Sequence, residues 1–312
     1  MKAIVLKDFG SADNLEVEEI QLPAIKDKEV LIEVKAISIN PVDVKTRAGK
    51  GAAARIKDDK PMILGWDVSG IITQTGSSVS NFKIGDEVFG MLNFPGHGKA
   101  YAEYVAVPVN QLAIKPKNIS FEEAAAATLA ALTAWEVIEA LNIQPGERFL
   151  VHAAAGGVGH FAVQIAKHFG AYVIGTASAA NKDFVLSIGA DEFVDYKAQP
   201  LDEVLSNIDK VLDTIGGENI DLSLQLMKPG GAILSLPSGK NEDVQEKAEA
   251  KGIKGIRLLV HSSGENQQKI AALMEQGIIK SHVSKVFSFD EIKAAHLQIE
   301  SGRTVGKIVI KV

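Results

Sequence analysis

The stretch Val151-His152-Ala153-Ala154-Ala155-Gly156-Gly157-Val158-Gly159 decides how the chain is read. Just before it, Arg148-Phe149-Leu150-Val151-His152 has the continuous apolar character of a buried strand. Just after it, Val158, Ala162, Ile165, Ala166 and Phe169 share one helical face, and Gly170 supplies the stop. Ala154, Gly156 and Gly159 stand at the three spacings of a dinucleotide fingerprint, with alanine in the first. A turn of this kind brings a diphosphate against backbone N–H groups at a helix N-terminus. The same turn can be purely structural, so its surroundings decide.

Those surroundings alternate. Short strands are expected at 172–175, 192–195, 210–214 and 232–236, separated by helical stretches, which predicts an α/β domain with a doubly wound parallel sheet. Where an NAD site usually carries a carboxylate, the sequence reads Gly175-Thr176-Ala177-Ser178-Ala179-Ala180-Asn181-Lys182. No acidic side chain there repels a 2′-phosphate, and Ser178 and Lys182 can donate to one. The expected cofactor is NADPH. Without a ligand the segment is a surface loop with a capping serine.

Toward the N-terminus, Val30, Ile32 and Val34 alternate with Leu31, Glu33 and Lys35 in the period of a half-buried strand. Further β-like runs at 68–73, 87–91 and 101–107 are punctuated by Gly65, Gly76, Gly85, Gly90, Gly96 and Gly98, suggesting a small barrel-like β domain. Ser120-Phe121-Glu122-Glu123 has the form of a capping box, and a second helix is expected from Thr133 to about Leu141. Beyond the α/β segment, the charged run 241–251 reads as a solvated helix, and 255–260 as a strand whose edge can pair in a homodimer. Two helices and strands at 283–287 and 307–312 finish the chain. The expected division is 1–122, 123–262 and 263–312, the last segment returning to the first domain.

Composition narrows the function. The chain has 312 residues, a formal net charge of -6 and no cysteine. That charge disfavours a broad nucleic-acid or membrane footprint. A structural disulfide, a thiolate nucleophile and cysteine-ligated zinc are excluded. The charged opening Met1-Lys2-Ala3-Ile4-Val5-Leu6-Lys7-Asp8 lacks a signal-peptide core, so a cytoplasmic protein is expected. His97, His152, His160 and His261 lack carboxylate or histidine partners at ligand spacing and are expected in core or surface roles, with no metal site.

Several motifs together resemble the zinc-free quinone oxidoreductase and alkenal/enone reductase branch of the medium-chain dehydrogenase/reductase superfamily. They are Asn40-Pro41-Val42-Asp43, Gly65-Trp66-Asp67-Val68-Ser69-Gly70, Gly85-Asp86-Glu87-Val88-Phe89-Gly90 and Ala102-Glu103-Tyr104-Val105. Leu132-Thr133-Ala134-Trp135, the glycine loop and Gly306-Lys307-Ile308-Val309 continue the match. The resemblance implies a GroES-like β-rich catalytic domain, a Rossmann domain and an active site in the cleft between them. Zinc-dependent relatives carry cysteine where this chain has Asn40, and histidine where it has Trp66. By the same resemblance, Tyr196 stacks near the adenosine phosphate and Lys182 contacts it, with Arg303 a further basic candidate. Thr133, Leu236 and Ser238 line the nicotinamide half, and Asp213-Thr214-Ile215-Gly216-Gly217 matches the strand end beneath it. Gly157 and Val158 complete the loop.

The implied activity is hydride transfer from NADPH to a quinone or an α,β-unsaturated carbonyl compound. Without zinc, another group must stabilise charge on the acceptor's oxygen. Lys45 is one candidate; the alternatives are a solvated lysine after a turn, with the proton supplied by water and catalysis by proximity. Asn40 can orient the substrate or a water. Asp43 and Asp67 are expected to be structural, and Trp66 and Phe94 packing anchors. A different class stays open: an NADPH-binding sensor or interaction protein with vestigial catalysis.

Overall fold

The alternation at Val30–Val34 becomes the long central strand of a β sheet. The structure, a computed structural model, describes residues 1–312. Its strands are β1 (Lys2–Leu6), β2 (Leu15–Glu19), β3 (Glu29–Ser38), β4 (Asp67–Thr75), β5 (Glu87–Met91), β6 (Tyr104–Pro108) and β7 (Ala113–Ile114). They continue with β8 (Arg148–Val151), β9 (Tyr172–Ala177), β10 (Glu192–Asp195), β11 (Ile208–Asp213) and β12 (Met227–Ser235). Last come β13 (Lys254–Arg257), β14 (Val283–Ser288) and β15 (Lys307–Lys311).

The chain forms two units, one of Met1–Leu132 with Val260–Val312, the other of Thr133–Leu259. In the first, a seven-stranded sheet runs β14-β15-β3-β4-β5-β7, with β6 also on β3; β1 and β2 pair separately. β15 pairs antiparallel with β3, Ile310 opposite Ile37, so the C-terminal strand completes this sheet. Ile4, Leu6, Ile32, Ile37, Val68, Ile72, Tyr101, Ile308 and Ile310 belong to one buried cluster. β3 and β4 approach so closely that a Cβ at Gly70 would lie 2.2 Å from the Glu33 carbonyl oxygen.

The sequence places the first boundary after residue 122, and the structure moves it to Leu132/Thr133. The reason is the helix Phe121–Ala126, capped by Ser120 and Glu123, whose Ala125 and Ala126 pack with Ala36 and Val309 of the first unit. The second boundary falls at Leu259/Val260 rather than after 262. Several element limits also shift: the strand expected at 255–260 is Lys254–Arg257, and the helix expected over 241–251 is Val244–Glu249, which buries Val244 and Ala248 rather than being solvated throughout. The run at 101–107 becomes strand only from Tyr104, because Tyr101 is fully buried in the cluster and Ala102 bridges back to Ala3. The helix expected from Thr133 begins at Leu129.

In the second unit all strand pairs are parallel, in the order β10-β9-β8-β11-β12-β13. The order reverses between β8 and β11. That is the topological switch point of a Rossmann sheet, and ligands bind there beyond the carboxyl ends of the strands.

Candidate functional site

The glycine loop lies at this switch point. β8 ends at Val151, Ala153 takes a left-handed φ of 50°, and the Gly156 N–H donates to the Ala153 carbonyl at 2.8 Å. A Cβ at Gly159 would stand 2.3 Å from the same carbonyl oxygen, so only glycine permits the turn. The helix Gly157–His168 follows, with Gly156 as its N-cap and no side chain capping it. The first-turn N–H groups of Gly157, Val158 and Gly159 therefore keep their capacity for an external acceptor, and the helix dipole favours an anion. Ala154 is buried, its N–H spent on the Thr176 carbonyl at 2.9 Å.

Two neighbouring strand ends flank the loop. β9 and β10 pair with Asp195 opposite Ala177, so Ser178 and Tyr196 leave adjacent strands at the same level. Tyr196 is 53% exposed, and Lys182 is exposed at the start of the helix Lys182–Ser187. Ser178, Lys182 and Tyr196 are thus the side chains presented at one corner of the sheet. The sequence reading missed Lys197, whose ammonium lies 5.8 Å from the Tyr196 ring centroid.

On the opposite side of the switch point, the buried Asp213 at the end of β11 organises a turn. Its carboxylate accepts from the N–H groups of Ile215 (3.0 Å) and Gly216 (3.1 Å) and from the Ser235 hydroxyl at 2.6 Å. Ile215, 45% exposed, tops that turn. Leu236, half-buried, donates its N–H to the Asp213 carbonyl at 3.0 Å, and Ser238 is exposed beyond it. Thr133 is buried in the helix Leu129–Leu141. Arg303 belongs to the other unit, exposed in the turn before β15.

The first unit buries a second polar group. Asn40 is 1% exposed. Its Nδ2 donates to Asp67 at 2.7 Å, and its Oδ1 accepts from the buried Lys307 ammonium. Lys307 also donates to the Ile39 carbonyl at 3.0 Å and stands 3.9 Å from Asp67. Asp43 accepts the Asn40 backbone N–H at 2.7 Å, which caps the helix Pro41–Arg47. Burial and the neighbouring Asp67 raise the Asp43 carboxyl to about 7. Burial also raises Asp67, against the pull of Lys307, and lowers Lys307, against the two carboxylates.

Asn40, expected to orient the substrate or a water, has both ends of its amide engaged inside this network. Lys45 lies on the same helix, exposed to solvent. Asp43 and Asp67 are buried, and Trp66 packs edge-on against Phe94 (centroids 5.4 Å apart) while donating to the Gly96 carbonyl at 2.7 Å. His97 meets Asp59 at 2.7 Å, a pairing across 38 residues that local spacing does not reveal. No three histidine or carboxylate side chains come together as metal ligands, and no helix is long and apolar enough to cross a membrane.

Comparison with known proteins agrees with this geometry. Residues 26–117 match the alcohol dehydrogenase GroES-like domain family, and residues 188–310 the zinc-binding dehydrogenase family. The chain is 37% identical to a 2-methylene-furan-3-one reductase of Solanum lycopersicum, covering 99% of this chain and 79% of that one. Identity is 36%, with the same coverage, to a chloroplastic NADPH-dependent alkenal/one oxidoreductase of Arabidopsis thaliana. Among solved structures, the quinone oxidoreductase of Coxiella burnetii superposes with a TM-score of 0.95 at 36% identity, covering 100% of this chain and 99% of that one. The Escherichia coli quinone oxidoreductase complexed with NADPH gives 0.88 at 28% identity, with 100% of both chains covered. The chain is therefore an oxidoreductase and belongs to the quinone oxidoreductase and alkenal/enone reductase branch of the medium-chain dehydrogenase/reductase superfamily.

Proposed function

We propose that the protein uses NADPH to reduce an α,β-unsaturated carbonyl compound or a quinone, without a metal ion. The observation that carries this reading is the uncapped N-terminus of the helix Gly157–His168, set beside a strand end that offers Ser178 and Lys182 and no carboxylate. The first-turn N–H groups hold the diphosphate. Ser178 and Lys182 donate to the 2′-phosphate, with Tyr196 against the adenosine and Arg303 a further basic candidate. Ile215, Leu236 and Ser238, on the β11–β12 side of the switch point, belong to the nicotinamide half, with Thr133 of the helix Leu129–Leu141 a further member.

When bound, NADPH supplies a hydride from its nicotinamide ring. Addition at the β-carbon of an enone moves the C=C electron pair onto the carbonyl oxygen, and a proton then joins the α-carbon. Lys45 is the chain's candidate for stabilising that oxygen. The Asn40–Asp67–Lys307 network anchors the N-terminus of its helix.

Zinc does not fit the residues present. At the two positions where zinc-dependent relatives place ligands stand Trp66, packed in the core, and Asn40, whose oxygen already holds an ammonium. A second cation beside Lys307 would meet that ammonium's charge. The edge of β13 away from β12 is unpaired, which supports a homodimer formed along it.

The test is NADPH consumption with phenanthrenequinone and with short alkenals. Turnover of either class is expected. Tight NADPH binding without turnover of any acceptor would instead favour a nucleotide-binding protein with vestigial catalysis.

A further inference from the structure

The two halves of the cofactor cradle are joined beneath the sheet's carboxyl edge by a chain of buried side chains. His152, the residue after β8, is buried and bonds on both sides. Its Nδ1 lies 3.2 Å from Thr176 Oγ1 on β9, and its Nε2 lies 2.9 Å from Ser223 Oγ in the helix Glu218–Leu226. Ser223 gives its own proton to the Asn219 carbonyl at 2.6 Å. Asn219 Nδ2 donates to Asp213 at 2.8 Å, and Asp213 holds the Ile215–Gly216 N–H groups and Ser235 on β12.

Donor bookkeeping fixes the state of His152. Because Ser223 spends its proton on Asn219, its oxygen is free to accept, and Nε2–H donates to it. Nδ1 is then bare and accepts the Thr176 hydroxyl. Burial holds the imidazole neutral, pushing its pKa down to about 4. The belt therefore has one tautomer and one direction near neutral pH, with every link inside the second unit.

From this we infer that His152, Ser223, Asn219 and Asp213 are positioning residues: they lock the Ile215–Gly217 turn to the diphosphate loop, so that the nicotinamide half is placed by reference to the half held by its phosphates. The inference rests on the NADPH reading above. The adenosine side, with β9 and the helix N-terminus, keeps its own contacts if the belt is cut. The Ile215 turn loses this side-chain tie and is left with the pairing of β11 to β8 and the Thr214 hydroxyl's 3.1 Å bond to the His152 carbonyl. Remote binding energy would then no longer orient the reacting ring.

The experiment compares calorimetric affinities for NADPH and for adenosine 2′,5′-bisphosphate, which lacks the nicotinamide half, together with kcat. Ser223→Ala cuts the belt at His152, and Asn219→Ala cuts it at Asp213; Ser223→Thr keeps the hydroxyl and serves as the rescue. In both cut variants the bisphosphate is expected to bind within about twofold of wild type. The affinity advantage of NADPH over it should shrink roughly tenfold, with kcat falling at least as much, and Ser223→Thr should restore both. Equal weakening of both ligands, or no change in the NADPH advantage in either cut variant, would overturn the inference while leaving the cofactor reading in place. Wild-type protein that binds neither ligand overturns both.

Discussion

The ammonium of Lys307, on the last strand, donates to the amide oxygen of Asn40, at the cap of the first helix, across 267 residues of sequence. Both side chains are buried, and Asp67 shares the site. A charge in such surroundings is tolerable only with its partners in place.

Removing that ammonium should therefore be costly. Lys307→Met leaves the Asp67 carboxylate and the Asn40 oxygen without their cation, and a loss of about 3–5 kcal/mol is expected in denaturant unfolding. Lys45→Ala, at an exposed position on the adjoining helix, should change stability by less than about 0.5 kcal/mol. Equal effects of the two substitutions would remove the network from the account.

Lys45 has its own kinetic consequence. If its ammonium stabilises the developing oxyanion, Lys45→Ala should lower kcat by roughly a hundred- to a thousandfold with the fold intact. A loss of only a few fold would assign the proton to water and leave catalysis to proximity.

Asp43 makes stability depend on pH in a defined direction. Its carboxyl rises from 3.8 to about 7 in the folded chain, through burial and the nearby Asp67. Between those values the unfolded chain has released a proton that the native state retains. The group's contribution is thus full below 3.8 and declines until about pH 7. His152 and His296, lowered by burial to about 4 and about 3, act in the opposite sense over part of that window. Comparing Asp43→Asn with wild type at each pH cancels them. The variant should gain on wild type by up to a few kcal/mol as pH rises from about 4 to about 7. Parallel stability profiles would contradict this.

At the glycine loop, Gly159→Ala forces a methyl to within 2.3 Å of the Ala153 carbonyl oxygen and 2.9 Å of Ala154 Cα. Backbone must shift, at a cost of about 1–3 kcal/mol. NADPH affinity should drop more than about tenfold, because the N–H groups that meet the diphosphate move with it. Unchanged affinity would argue against the loop as the phosphate cradle.

What the sequence made legible was local. The strand, turn and helix around Val151–Gly159 follow from the spacing of apolar side chains and three small residues, and the Ser120–Glu123 capping box from a four-residue pattern. Periodicity carries no information about which distant polar groups meet. Lys307 opens a strand that closes on the exposed Lys311, and nothing in the pattern signals that the first ammonium turns inward to Asn40. From the sequence Asn40 reads as a group able to meet a substrate or a water, whereas the fold turns its amide toward Asp67 and Lys307. The pairing of His97 with Asp59 and the belt from Thr176 to Ser235 were hidden for the same reason. The first boundary was displaced because Ala125 and Ala126 carry no mark of the sheet they pack against.

The decisive experiment is a calorimetric titration of the purified protein with NADPH and, separately, with NADH. Saturable NADPH binding, weakened about ten- to a hundredfold by Lys182→Ala while NADH binding is unaffected, is the predicted result. Absence of heat with both nucleotides at millimolar concentration would contradict the account at its root.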